Sequence, residues 1–187
     1  LSPKPVSLEH KHLKPSTKIN IVHNYSVTDK ADGVSSLLYV NNSGKCYLIN
    51  PSLQFQDTGI INTAFKNSLF NGELITKTKD GLTCCDYMMF DAYIVQDLNC
   101  MQLNLLSMDT SQTTRLSHIQ RFLESNDFEF ANNGTLQTHP CKFLAKKFEH
   151  ATQNNTIFEA AKLIWENRDN FKYKLDGLIF TPIDKPV

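Results

Sequence analysis

The stretch Thr28-Asp-Lys30-Ala-Asp32-Gly33 puts a lysine where a β-rich run reaches a turn. An ordinary lysine, with a pKa of about 10.4, is protonated at neutral pH and cannot attack anything. Lys30 is therefore either a solvated charge on a β-turn or an amine held at the rim of a pocket. In a pocket, desolvation, a neighbouring cation or a metal must lower its pKa. Three further positions bear on the choice. Glu73 in "LFNGEL" falls at a strand centre, Phe90-Asp91 lie within "MMFDAY", and Asp176-Gly177 open "KLDGLIFTP". Carboxylates in such runs are either polar residues at strand ends or groups with work to do. Phe90, among Tyr87, Met88, Met89 and Tyr93, is by composition alone a core residue.

The elements that must position these residues are short and β-rich. "SSLLYVN" and "KCYLIN" flank Asn42-Ser-Gly44, a hairpin pattern. "SLFNGELIT" and "CCDYMMFDAYIV" follow, separated by the turn "KTKDG". In "RLSHIQRFLES", Leu116, Ile119 and Leu123 share a helical face. In "TIFEAAKLIWENRD", Thr156 and Glu159 form a capping box ahead of an apolar face with Ile157, Ala160 and Ile164. "HPCKFLAKKFEH" reads as one more strand and "LDGLIFTP" as the last. Connections of hairpin length cannot join parallel strands. The expected class is thus α/β in the α+β sense, with largely antiparallel sheets and flanking helices. Residues 1–187 are read as one domain, with 1–17 a proline-bearing lead-in that wraps it.

The 187 residues are 41% hydrophobic, 10% aromatic and 20% charged, ordinary globular values. Lysine plus arginine and aspartate plus glutamate both total 19, so no broad basic surface is implied. A nucleic acid partner would meet a local cleft. Five cysteines without a C-x-x-C pair argue against a disulfide framework or zinc site and fit a reducing compartment. No apolar run is long enough to cross a bilayer, and no P-loop or dinucleotide glycine fingerprint is present. The opening "LSPKPVSLEHKHLKP", without an initiator methionine, reads as a piece of something longer.

In their order and spacing the four segments resemble the covalent nucleotidyltransferases: mRNA capping guanylyltransferases and nucleotide-dependent DNA and RNA ligases. Lys30-Ala-Asp-Gly33 is similar to the family's first motif and Asn71-Gly-Glu73 to its third. Phe90-Asp91 resembles the motif after that, and Asp176-Gly-Leu-Ile-Phe180 the fourth. "DGLIFTP" is more like capping enzymes, particularly those of large DNA viruses, than like ligases, whose acid here is usually glutamate; the 17 asparagines suit an AT-rich viral genome. The resemblance implies that Lys30 is the catalytic nucleophile, forming a covalent lysyl-GMP from GTP and passing GMP to a 5′-diphosphate RNA end. Asp32 and Gly33 would complete the nucleotide site. Glu73 would serve the ribose or a metal-bound water, and Asp176 would hold Mg²⁺ or Mn²⁺, which the charge of phosphoryl transfer requires. Phe90 would stack on the purine. Lys146, in "LAKKF", would approach the guanine carbonyl, where adenine presents a donor. Arg115, Lys172 and Lys174 are either phosphate or RNA contacts or solvated charges.

The same resemblance implies triphosphatase and methyltransferase domains or subunits nearby, no membrane, and a cytoplasmic place: host cytoplasm, viral factory or virion. Ser35 stands where many relatives carry arginine, and Asn71 where an acid is usual. The chain stops after the fourth motif, before the expected C-terminal OB-fold, so weak activity alone is expected. Two alternatives remain: the adenylation domain of an ATP-dependent RNA or DNA ligase, and a degenerate copy that binds RNA or a partner without catalysis.

Overall fold

The turn Asn42-Ser-Gly44 joins β2 (Val34–Val40) to β3 (Lys45–Ile49), with Val40 opposite Cys46 and Leu37 opposite Ile49. Asn41 closes it, its side-chain oxygen accepting from the amides of Ser43 and Lys45 at 2.9 Å each. These strands belong to a computed structural model describing residues 6–18, 20–131 and 141–187. Residues 1–5 of the lead-in, and His139-Pro140 of the strand expected there, lie outside the described residues.

The larger sheet continues with β4 (Phe55–Asn62), β5 (Ser68–Lys77), β6 (Thr83–Val95), β7 (Leu98–Asn99), β8 (Phe128–Phe130) and β9 (Lys142–Ala145). Its eight strands run in the order β7-β6-β5-β2-β3-β4-β8, with β9 also on β6. All these pairings are antiparallel except β6 with β9, which are parallel. The smaller sheet sets β1 (Tyr25–Ala31) between β10 (Glu149–His150) and β11 (Leu175–Pro182), both antiparallel to it. The single strand expected over "HPCKFLAKKFEH" is therefore two, β9 and β10, one in each sheet. The chain leaves one sheet at Ala145 and joins the other at Glu149, which puts Lys146 at the crossing.

Each sheet buries one helix. Thr114 caps α1 (Arg115–Leu123), accepting from the Ser117 amide at 3.1 Å. The side buried against the large sheet carries Arg115, His118, Ile119 and Phe122, with Leu116 and Leu123 only partly buried beside it. Phe122, outside the face read from the sequence, is the centre of the core: its ring lies 4.8–5.9 Å from those of Phe65, Phe70, Phe128 and Phe143. α2 (Ile157–Glu166) has the expected capping box, with Glu159 accepting from the Thr156 amide at 2.7 Å. Its Ile157, Ala160 and Ile164 pack on Val27 of β1. A third, small cluster joins the two sheets: Ala31 of β1, Ile75 of β5, Met88 of β6 and Tyr173. The polar residues of interest gather around this junction.

Candidate active site

Lys30 is the penultimate residue of β1, and a register break aims it. Asp29 pairs with Leu178 and Ala31 with Leu175, so the one residue Lys30 faces two on β11, Asp176 and Gly177. Gly177 has φ +114°, a conformation open to glycine and strained for any side chain. The bulge brings the Asp176 carboxylate onto the Lys30 amine as a direct ion pair. Both side chains reach solvent, at 38% and 63% exposure. The Asp176 hydrogen bond raises the Lys30 pKa, with the charges of Glu73 and Asp32 adding to it and partial burial opposing it. In this state the amine is a protonated partner of Asp176.

Beneath Lys30 lies a buried polar network. Glu73, on β5, accepts the Gly33 amide on Oε1 at 3.0 Å and the Lys146 amine on Oε2 at 3.0 Å. The Lys146 side chain is fully buried. Its Nζ also donates to the Asp29 carbonyl at 2.9 Å and lies 3.3 Å from Asp29 Oδ2. Three N–H groups thus face three protein oxygens. The same amine is 5.8 Å from the centre of the Phe90 ring. Asp29, itself 2% exposed, accepts the Tyr173 hydroxyl on Oδ2 at 2.9 Å. Burial first, then the Asp29 charge, push the Tyr173 phenol well above its ordinary range, so it remains a donor.

Phe90 owes its placement to a second bulge. Asn71 pairs with Asp91 and Gly72 with Met89, leaving Phe90 as the extra residue of β6. Its neighbour Asp91 serves the opposite purpose: Arg115 donates to its carboxylate at 2.7 Å, both side chains being largely buried. Arg115 also donates to the carbonyls of Leu103 and Lys185, at 2.5 and 3.0 Å. It is thus a structural cation under α1, and neither of the sequence readings, phosphate contact or solvated charge, describes it. Lys172 and Lys174 are exposed, and the Lys174 carbonyl accepts the amide of exposed Asp32 at 3.1 Å. Lys30, Asp32, Gly33, Glu73, Phe90, Lys146 and Asp176 therefore come together from five separate stretches of chain. Sequence reading missed Asp29 and Tyr173. The only available signal was a carboxylate within "YSVTDKA", shadowed by the lysine next to it.

Two sheets meeting at a bulged lysine strand make a fold that solved ligase domains share. The ligase domain of LigD from M. tuberculosis superposes with a TM-score of 0.54 over 87% of this chain and 48% of that one. Mycobacterial DNA ligase D complexed with ATP and MES gives 0.55 over 96% and 57%. At 10% identity in both cases the likeness is one of fold. Residues 2–187 match the family model of the mRNA capping enzyme, catalytic domain, and the chain belongs to that family. A probable mRNA-capping enzyme of Acanthamoeba polyphaga mimivirus is 26% identical across 90% of this chain. The mRNA-capping enzyme subunit alpha of Saccharomyces cerevisiae is 26% identical across 98%. The chain spans 17% and 41% of the lengths of these two relatives.

Proposed function

We propose that the chain is a guanylyltransferase core in which Lys30 takes GMP from GTP. The observation that carries this reading is the junction itself: a bulged lysine paired with Asp176, with Glu73, Lys146 and Phe90 beside it, in a chain of the capping-enzyme family. In the first half-reaction the deprotonated Lys30 amine attacks the α-phosphorus. A P–N bond forms, the bond to the α–β bridging oxygen breaks, and pyrophosphate leaves with the electron pair. In the second, the terminal oxygen of a 5′-diphosphate RNA attacks the same phosphorus, the P–N bond breaks, and Lys30 regains a proton.

Phe90 offers a ring face to the purine. Gly33, with its amide on Glu73, and exposed Asp32 complete the nucleotide-binding turn. Glu73 meets the ribose from the floor of the site. Lys146 reads the guanine carbonyl by exchanging its Glu73 bond for the base. Among the described residues no cluster of three or more His, Cys, Asp or Glu forms a cation cage. Mg²⁺, however, is commonly held by one or two carboxylates together with substrate phosphates. Asp176, mostly exposed and engaged through Oδ2 alone, fits that role, and Mn²⁺ would use the same oxygens. Glu73 fits less well, because both its oxygens are already engaged. Bound at Asp176, the ion would offset phosphate charge and compete with Lys30 for the carboxylate that keeps the amine protonated.

The test is incubation with α-labelled GTP or ATP followed by denaturing electrophoresis. An adduct formed preferentially from GTP is expected. Equal or greater labelling from ATP would assign the chain to ligase-type adenylyl transfer instead.

A further inference from the structure

We infer that Tyr173 is a positioning residue for the nucleophile, acting through the buried carboxylate of Asp29. The inference rests on the reading of Lys30 as the attacking amine. The Lys30 side chain is weakly held, being 38% exposed with Asp176 as its partner. Its location is set by the backbone on either side. Ala31 is 3% exposed in the sheet-joining cluster, and Asp29 is fastened at several points. Lys146 meets both the Asp29 carbonyl and Oδ2, the Thr28 hydroxyl approaches Oδ1 at 3.4 Å, and Tyr173 donates to Oδ2 at 2.9 Å.

β10 pairs with β1 only at Ser26 and Val27. Beyond that point, polar contacts from Lys147 and Lys146 replace strand pairing on this edge of β1. The Thr28 hydroxyl donates to the Lys147 carbonyl at 2.7 Å, and the Lys146 amine caps the Asp29 carbonyl. Tyr173 braces the same residue from the segment leading into β11, three residues before Asp176. One phenol therefore ties the approach to Asp176 to the residue preceding Lys30. In-line attack is sensitive to about 1 Å of misplacement, which can cost two orders of magnitude in rate. A residue that fixes Lys30 without touching nucleotide should affect the chemical step far more than binding.

Tyr173→Phe removes the hydroxyl and keeps the ring against Phe171, Ala31, Ile75 and Met88. Three quantities are read on the full chain: the single-turnover rate of labelling at saturating GTP, the GTP dissociation constant, and the thermal midpoint. The expected result is a rate lowered about tenfold or more, with the dissociation constant within about twofold of wild type. Asp29→Asn should slow labelling as well. Combined with Tyr173→Phe, it should show much less than the product of the two effects, because both act on one contact. A labelled wild type with a Tyr173→Phe rate within twofold overturns the inference, as do multiplicative effects in the double variant. Should Asp29→Asn fail to fold, the rate-against-affinity split in Tyr173→Phe decides alone. An unlabelled wild type would refute the transfer reaction itself, a distinguishable failure.

Discussion

Replacing Arg115 with methionine should cost the fold several kcal/mol, by an amount that depends on pH. The guanidinium is buried, pairs with Asp91 at 2.7 Å and donates to the carbonyls of Leu103 and Lys185. Removing one partner of a buried ion pair costs about 3–5 kcal/mol, because the other charge stays behind unpaired. For a domain of this size that corresponds to a midpoint lowered by about 6–20 °C. Within this loss, the two carbonyl bonds account for about 1 kcal/mol each and persist at every pH. The remainder titrates. Burial already raises the Asp91 pKa, while the Arg115 charge and hydrogen bond oppose that rise. Without Arg115 the carboxyl rises further above its unfolded value. A raised carboxyl keeps its proton longer in the folded state, so stability is lost as pH climbs from the unfolded pKa to the folded one. The deficit of Arg115→Met should therefore be largest near neutral pH. It should shrink on acidification, at a limiting slope of about 1.4 kcal/mol per pH unit. Urea unfolding of both proteins near pH 7.5 and about pH 5 measures this. A deficit below about 0.5 kcal/mol, as for a surface charge, would refute the reasoning. So would a deficit equal at both pH values.

Gly72→Ala should destabilise by about 1–3 kcal/mol or more. A Cβ there would stand 2.5 Å from Tyr87 Cζ and 2.7 Å from the Met88 carbonyl, and Tyr87 is fully buried with its hydroxyl on the Ser36 carbonyl. An unchanged unfolding midpoint would show that the ring can yield. His118 is 4% exposed, neither ring nitrogen has a hydrogen-bond partner among the described residues, and burial, then Arg121, lower its pKa. The unfolded chain thus takes up the proton first, and stability falls as pH drops below the unfolded value of about 6.5. His118→Leu should gain on wild type as the solution is acidified, and a pH-independent difference in urea unfolding would contradict this.

The sequence was most readable where a local signal was sufficient. Asn42-Ser-Gly44 fixes a hairpin through turn chemistry alone, and Thr156 with Glu159 starts α2 by a reciprocal cap. What it concealed depends on contacts distant along the chain. Arg115 looked like any helix-terminal arginine because its carboxylate partner lies 24 residues back. Phe122 becomes the centre of the core only when the turn after β4 and the strands β5, β8 and β9 bring Phe65, Phe70, Phe128 and Phe143 around it. The split of "CKFLAKKFEH" between two sheets has no periodic signal, since each part is only two to four residues long. The short motifs named Lys30, Glu73, Phe90 and Asp176, yet the bulges that aim Lys30 and Phe90 are properties of paired strands. Asp29 and Tyr173 belong to no motif, and their contact spans 144 residues.

The proposed reaction leaves the Lys30 amine covalently bonded to GMP. The direct measurement is labelling with α-labelled GTP, followed by proteolysis under alkaline conditions and identification of the modified peptide. The label should fall on the peptide containing Thr28-Asp-Lys30-Ala-Asp32-Gly33 and be lost in acid. It should be absent from Lys30→Ala and equally from Lys30→Arg, because a guanidinium stays protonated and cannot attack. Label on another peptide, or wild-type labelling of Lys30→Ala, would contradict the account.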